Sequence, residues 1–220
     1  MQRAGIINIE EVLKEYPYFE YNSERRIISG YLNISENDRY NVEIHLNYFP
    51  DAFPVVFEMD ERIPVQADRH TNKDGSLCFT TKPNEVIYIK TIVKSLTEFI
   101  ELILTPYLQN NSYYEINKRY KFDEYSHYQT ISTYQTYSDI LDIIRPHNIL
   151  RIINERIKLK KKYRPNDLCY CNSNVKIKKC KSHEKNYKNF SKLDKHTLER
   201  DIKLINDFIE DLNKFQKSQN

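Results

Sequence analysis

Cys169, Cys171, Cys180 and His183 fall within fifteen residues of a chain of 220. The stretch that holds them, residues 164–184 (RPNDLCYCNSNVKIKKCKSHE), is polar and offers thiols no apolar core to join. The N-terminal run MQRAGIINIEEVLKEY lacks the long apolar segment of a secretory leader and turns acidic at once. No window approaches the roughly 20 apolar residues that a membrane span needs. A soluble, cytoplasmic protein with no membrane partner is therefore expected, and in that compartment clustered thiols point to metal or catalysis before disulfides. An odd number of local thiols argues the same way. Zinc takes four nitrogen or sulfur ligands in a tetrahedron, which a short segment supplies only by turning back on itself. Cys169 and Cys171 give one pair, Asn172-Ser173-Asn174 gives the turn, and Cys180 and His183 close the set. Asparagine accepts a left-handed backbone more readily than most residues with a side chain.

Charge is unevenly spread. Residues 1–145 carry 15 Lys and Arg against 22 Asp and Glu, while residues 146–220 carry 19 against 9. The basic tail makes nucleic-acid or ribosome contact conceivable, but a solvated helix face is the commoner meaning of such a run and is preferred. Residues 7–16 are expected to form a short amphipathic helix. Residues 17–60 read as a β-meander with three strands, at 26–34, 40–49 and 55–59. The second alternates Val42, Ile44 and Leu46 on one face with Glu43, His45 and Asn47 on the other. Residues 61–89 show no period and read as a long loop. Residues 91–104 read as a helix with the stripe Ile92, Leu96, Phe99 and Ile103, stopped by Pro106. Two further helices are expected within 112–144, a basic helix over 147–163 and a last helix over 196–215.

The loop contains a lone cysteine. In RHTNKDGSLCFTT, residues 69–81, Cys78 follows an Asp-Gly turn, with His70 and Asn72 upstream. Gly75 allows a sharp turn through positive φ. An exposed thiol there suits a nucleophile. Equally, Ser76-Leu77-Cys78-Phe79 reads as a short strand with Leu77 and Phe79 buried and Cys78 a small hydrophobe.

The order of elements bears on that choice. FPDAFP at 49–54, the strand Val55-Val56-Phe57, HTNKDGSLCF at 70–79 and the helix at 91–104 together resemble the ubiquitin-conjugating enzyme family. The resemblance covers roughly residues 7–145. Thr71 stands where the family has proline, the His-to-Cys interval is eight residues, and Asn110-Asn111 stand near the family's acidic position. The resemblance implies that Cys78 carries the C-terminus of a ubiquitin-like protein as a thioester, with Asn72 as the amide donor to the developing oxyanion and His70 holding the loop. It further implies an activating enzyme, an acceptor protein, and a bacterial setting in antiphage (CBASS-type) defence. There the passenger is a ubiquitin-like protein or a nucleotidyltransferase related to the sensor cGAS.

A second resemblance covers about twenty residues. Pro165-Asn166-Asp167-Leu168-Cys169-Tyr170-Cys171-Asn172-Ser173-Asn174, with Lys179-Cys180, is similar to the SEC-C zinc motif, whose two glycines are asparagine here. It implies a structural zinc, since a catalytic one keeps an open position, and docking onto a protein or ribosome. The expected fold class is α+β: a ubiquitin-conjugating-like domain, antiparallel meander with flanking helices, over 1–145. A basic helical linker over 146–163, a zinc knuckle over 164–187 and a C-terminal helix over 190–216 follow. The expected function is thioester transfer through Cys78. The alternatives are a non-catalytic binding scaffold and an adaptor acting through the zinc motif.

Overall fold

The computed structural model describes residues 7–122, 124–160 and 162–219. The chain divides into two compact units, one drawn from residues up to 80 with 88–124, the other from 81–87 with 125 onward. The architecture is α+β.

The first unit opens with α1 (Ile9–Glu15) and a four-stranded antiparallel sheet in chain order, β1 (Phe19–Asn22), β2 (Ile27–Ser35), β3 (Asp38–His45) and β4 (Val55–Glu58). The alternation read in the sequence is realised in β3. Tyr40, Val42 and Ile44 are buried, and Glu43 and His45 lie on the opposite face. Their partners Leu32, Gly30 and Ile28 on β2 complete the inner layer. Gly30, at φ 137°, is dictated by packing: a Cβ there would lie 2.0 Å from the Tyr18 carbonyl oxygen. β1 is a strand beyond the three expected. Its four residues are too few to show a period, and it exists through pairing with Ile27–Gly30 of β2.

Two expectations about the next region are corrected. Residues 82–91 are not loop but a helix, α2 (Lys82–Thr91); its apolar residues are contiguous, so no helical stripe announces it. The helix expected over 91–104 begins instead at α3 (Leu96–Phe99), where Ser95 and Glu98 form a reciprocal capping box. Nor does Pro106 end it. The chain widens into a π-helical turn (Ile100–Leu104) and continues as α4 (Thr105–Asn117), with Pro106 in the first turn of α4. A proline inside an α-helix collides with the carbonyl four residues back, and the wider turn just before it relieves that crowding. Leu96, Phe99, Ile100, Leu104 and Leu108 belong with Val12, Ile28, Leu32 and Ile44 to one buried core.

The second unit contains α5 (Gln129–Leu141), α6 (Pro146–Lys158), α7 (Tyr187–Phe190) and α8 (Lys195–Ser218). α5 and α6 both pack on α8. Ile149, Ile152 and Ile153 of the basic helix are buried, as are Phe190, Leu198 and Ile205. Tyr137 of α5 donates a 2.9 Å hydrogen bond to the buried carboxylate of Asp201 on α8. α5, which precedes the boundary expected at residue 145, thus shares its buried contacts with the C-terminal helix. No helix among the described residues is long and apolar enough to cross a membrane.

Candidate functional site

The chain around Cys169 folds as a small knuckle. Leu168 and Lys176 form an antiparallel bridge, Cys169 N–H donates to Val175 O at 2.8 Å, and Ile177 N–H donates to Asp167 O at 2.9 Å. Asn172 (φ 63°) and Asn174 (φ 58°) are both left-handed. That conformation reverses the chain between Cys171 and Cys180. Asparagine is among the residues with a side chain that adopt it most often.

The turn brings Cys169, Cys171, Cys180 and His183 together, with all four ligand atoms within 4.8 Å of one another. Cys169 Sγ lies 3.4 Å from His183 Nδ1, Cys180 Sγ 3.2 Å from the same nitrogen, and Cys171 Sγ 3.9 Å from Cys180 Sγ. A tetrahedron with metal–sulfur bonds of about 2.3 Å and metal–nitrogen bonds of about 2.05 Å has edges of about 3.8 Å between sulfurs and about 3.5 Å between sulfur and nitrogen. Those three of the six edges lie close to these values, and the set could hold a metal ion. His183 adds an independent indication. Its other ring nitrogen, Nε2, lies 3.4 Å from Asp142 O. A proton held there toward the carbonyl leaves the Nδ1 lone pair for a metal, the outer-shell arrangement usual for ligating histidines. The Tyr170 ring lies 4.8 Å from the imidazole, and Arg151 Nη2 donates to Tyr170 O at 2.8 Å.

The thiols are held unequally. Burial pushes Cys169 up to about 12. Burial acts in the same sense on Cys171, but hydrogen bonding to Ser173, whose Oγ lies 3.2 Å away, and to Cys169 outweighs it and lowers that thiol to about 6. None of the four cysteines is in a disulfide. Asp142 was not legible as part of this site, because it contributes only its backbone, which no sequence pattern marks.

Cys78 occupies a different kind of place, a short hairpin in the first unit. Thr71 pairs with Leu77, Asn72 N–H donates to Ser76 O at 2.8 Å, and Cys78 N–H donates to His70 O at 2.8 Å. Gly75 N–H donates to Asn72 O at 3.0 Å with Gly75 at φ 84°, a three-residue turn closed by a left-handed glycine. Leu77 N–H donates to Val56 O and hangs the hairpin on β4. Leu77 is buried, and Phe79 packs edge-on against Phe99 and Tyr107. Cys78 between them is half-buried.

His70, itself left-handed at φ 51°, directs its ring to the Glu124 carboxylate and packs at a tilt 5.3 Å from Tyr120. Its carbonyl receives the Tyr107 hydroxyl at 2.8 Å as well as the Cys78 N–H. Burial, the Tyr120 hydroxyl and the nearby Cys78 thiol all raise the Tyr107 phenol. Asn72 Nδ2 donates to Ser76 Oγ at 3.0 Å, two ladder positions from Cys78 and on the face that alternation assigns to both. Asn111 is buried, and its Oδ1 accepts from Arg69 Nη2 at 3.0 Å. Asn110 Oδ1 accepts from Lys121 N–H. Tyr107 and Glu124 carry no local signal, because they reach the hairpin from about 30 and 50 residues away.

Comparison with protein-family models, with curated proteins and with solved structures finds no match.

Proposed function

We propose that this chain is a ubiquitin-conjugating-like transferase that carries a protein C-terminus as a thioester on Cys78 and that also holds a structural zinc knuckle. The observation that carries the reading is the seating of Cys78. Its N–H is fixed to His70 O, the flanking Leu77 and Phe79 are packed inward, and the thiol is left half-buried on a hairpin pinned by β4 and Tyr107. The element order, α1, a four-stranded antiparallel meander, this hairpin, α2 and then α3, supports the reading.

In the proposed reaction an amine of the acceptor attacks the thioester carbonyl. The C–N bond forms, the C–S bond breaks, Cys78 leaves as thiolate, and the amine proton passes to solvent or a base. The oxyanion formed in between needs a donor. Asn72 is the nearest side-chain amide on the Cys78 face of the hairpin, and it serves by exchanging its bond to Ser76 Oγ for one to the oxyanion. His70, already committed to Glu124 and Tyr120, is a positioning residue. Loading of Cys78 requires an activating enzyme in another chain. A cytoplasmic, antiphage setting with a ubiquitin-like or cGAS-like passenger belongs to the same proposal. At the knuckle, zinc held by Cys169, Cys171, Cys180 and His183 would cross-link the turn and neutralise the thiolates.

The test is the intact mass of the protein from its native host, purified without reductant, before and after dithiothreitol and with Cys78→Ala. A protein-sized adduct that thiol releases and that Cys78→Ala lacks is the expected result. Absence of any adduct when neighbouring genes are co-expressed would remove the enzyme reading. A second reading, an adaptor acting through the knuckle, is favoured by exposed Lys176, Lys178, Lys179 and Lys181 around it. It predicts nucleic-acid or ribosome binding that falls steeply with salt and survives Cys78→Ala.

A further inference from the structure

The outer face of the sheet carries a second candidate site, away from the thiol. Glu43 and His45 of β3 and Phe57 of β4 form its floor, and residues 58–65 fold over it as a wall, enclosing an open groove of about 670 Å³. Two large apolar side chains on that wall, Met59 and Val65, are 46 % and 59 % exposed. The wall is firmly built. Glu58 accepts from the N–H groups of Asp60 and Ile63, and Thr71 Oγ1 accepts from Gln66 N–H at 2.8 Å and lies 3.1 Å from Pro64 O. A preformed groove that combines apolar and polar groups can serve as a binding site.

Its charge is one-sided. The acidic groups that line it are Glu43, Glu58 and Glu61, and among the described residues no lysine or arginine lines it. Glu43 also meets His45 at 3.2 Å. The one cation within the wall segment, Arg62, turns away and is held by Asp38 and Glu115, each at 2.9 Å, over the Tyr40 ring. Glu61, exposed and left-handed at φ 58°, stands at the rim. Apolar side chains of a partner would find Met59, Phe57 and Val65, and ammonium or guanidinium groups would find the carboxylates; methionine suits such adaptable contacts.

We infer that this groove docks an extended protein segment in which apolar residues alternate with lysine or arginine. Its acidic rim excludes acidic segments of the same apolar content. The site is independent of Cys78 chemistry. Gly75, at the turn of the Cys78 hairpin, lines it.

The test uses the full-length protein, with fluorescence anisotropy of a labelled nonapeptide alternating lysine and leucine. Two peptides of equal length serve as comparisons, one alternating lysine with serine and one glutamate with leucine. The lysine–leucine peptide is expected to bind at least about tenfold more tightly than either. Glu61→Lys and Met59→Asp, both at exposed positions, are expected to weaken it about tenfold without changing the unfolding temperature. Glu10→Lys, an exposed acidic position on α1, should leave it unchanged. Equal binding of the lysine–serine peptide, or equal weakening by Glu10→Lys, would mean attraction to net charge alone and overturn the proposal. So would sedimentation showing a dimer that excludes the peptide, because the groove would then belong to a second copy.

Discussion

Titrating the knuckle with metal at several pH values tests the site most directly. Each ligand must reach the metal deprotonated, so every proton still held at the working pH is displaced on binding. Cys169, pushed up to about 12 by burial, is protonated throughout the neutral range. Its displacement alone requires the apparent zinc affinity to rise about tenfold per pH unit between pH 6.5 and 8. Cys171, despite its burial, is lowered to about 6 by its hydrogen bonds. It is ionised above that value and adds a further proton to the count only below it, so the slope should steepen toward acid. Competition with a chromophoric chelator, at one zinc per chain, measures the slope. His183→Ala removes both the Nδ1 ligand and the link from Nε2 to Asp142 O. Loss of an outer partner alone typically costs about 10–100-fold in affinity, so this variant should lose more. An affinity independent of pH, or unchanged in His183→Ala, would refute the assignment of these four residues as one site.

Other consequences are local to each unit. Gly30→Ala puts a Cβ 2.0 Å from the Tyr18 carbonyl at a backbone angle that alanine resists; a loss of at least about 3 kcal/mol is expected in denaturant unfolding. Burial holds the Asp201 carboxyl above its ordinary range, against the opposing pull of Arg200 and Tyr137. A raised acid binds its proton more tightly folded than unfolded, so the wild type loses stability as pH rises from the ordinary carboxylate value through the folded one. Asp201→Asn should therefore raise the unfolding temperature at pH 7, with the gain shrinking as pH falls toward 4. Asn172→Gly with Asn174→Gly should leave metal affinity intact or improved, whereas the paired alanine variant should weaken the folded knuckle by about 1 kcal/mol per position, read by thermal unfolding of the zinc-loaded protein.

The parts that the sequence made legible are those in which local chemistry decides geometry. Asp74-Gly75 had to turn, and Asn172 and Asn174 stand left-handed where the similar zinc motif has glycines. Val42 and Ile44 alternate because one face of β3 is buried. Features decided by distant partners were not legible. β1 exists because β2 accepts it, and α2 has no stripe to read. The Ser95–Glu98 capping box was present as a local signal and outranks the apolar spacing that seemed to begin the helix at residue 91. Ile92, counted in that stripe, is in fact 43 % exposed.

The same distinction separates the two candidate sites. In the knuckle, ligand identity and spacing are local, and the fold adds only the gathering of the four side chains and the Asp142 carbonyl. For Cys78 the sequence supplies a thiol on a turn, and everything that would make it a specific nucleophile comes from elsewhere: Val56 holding the hairpin, Phe99 and Tyr107 behind Phe79, and Glu124 and Tyr120 fixing His70. The loop before Cys78 is tied down by the Tyr107 hydroxyl and by the Glu124 carboxylate on His70. If this bracing serves the thiol, Tyr107→Phe should loosen residues 70–78 to hydrogen exchange and lower the yield of any Cys78 adduct while leaving the global unfolding transition nearly in place. A variant that exchanges no faster, with adduct unchanged, would return Cys78 to the role of a small residue in a well-packed hairpin.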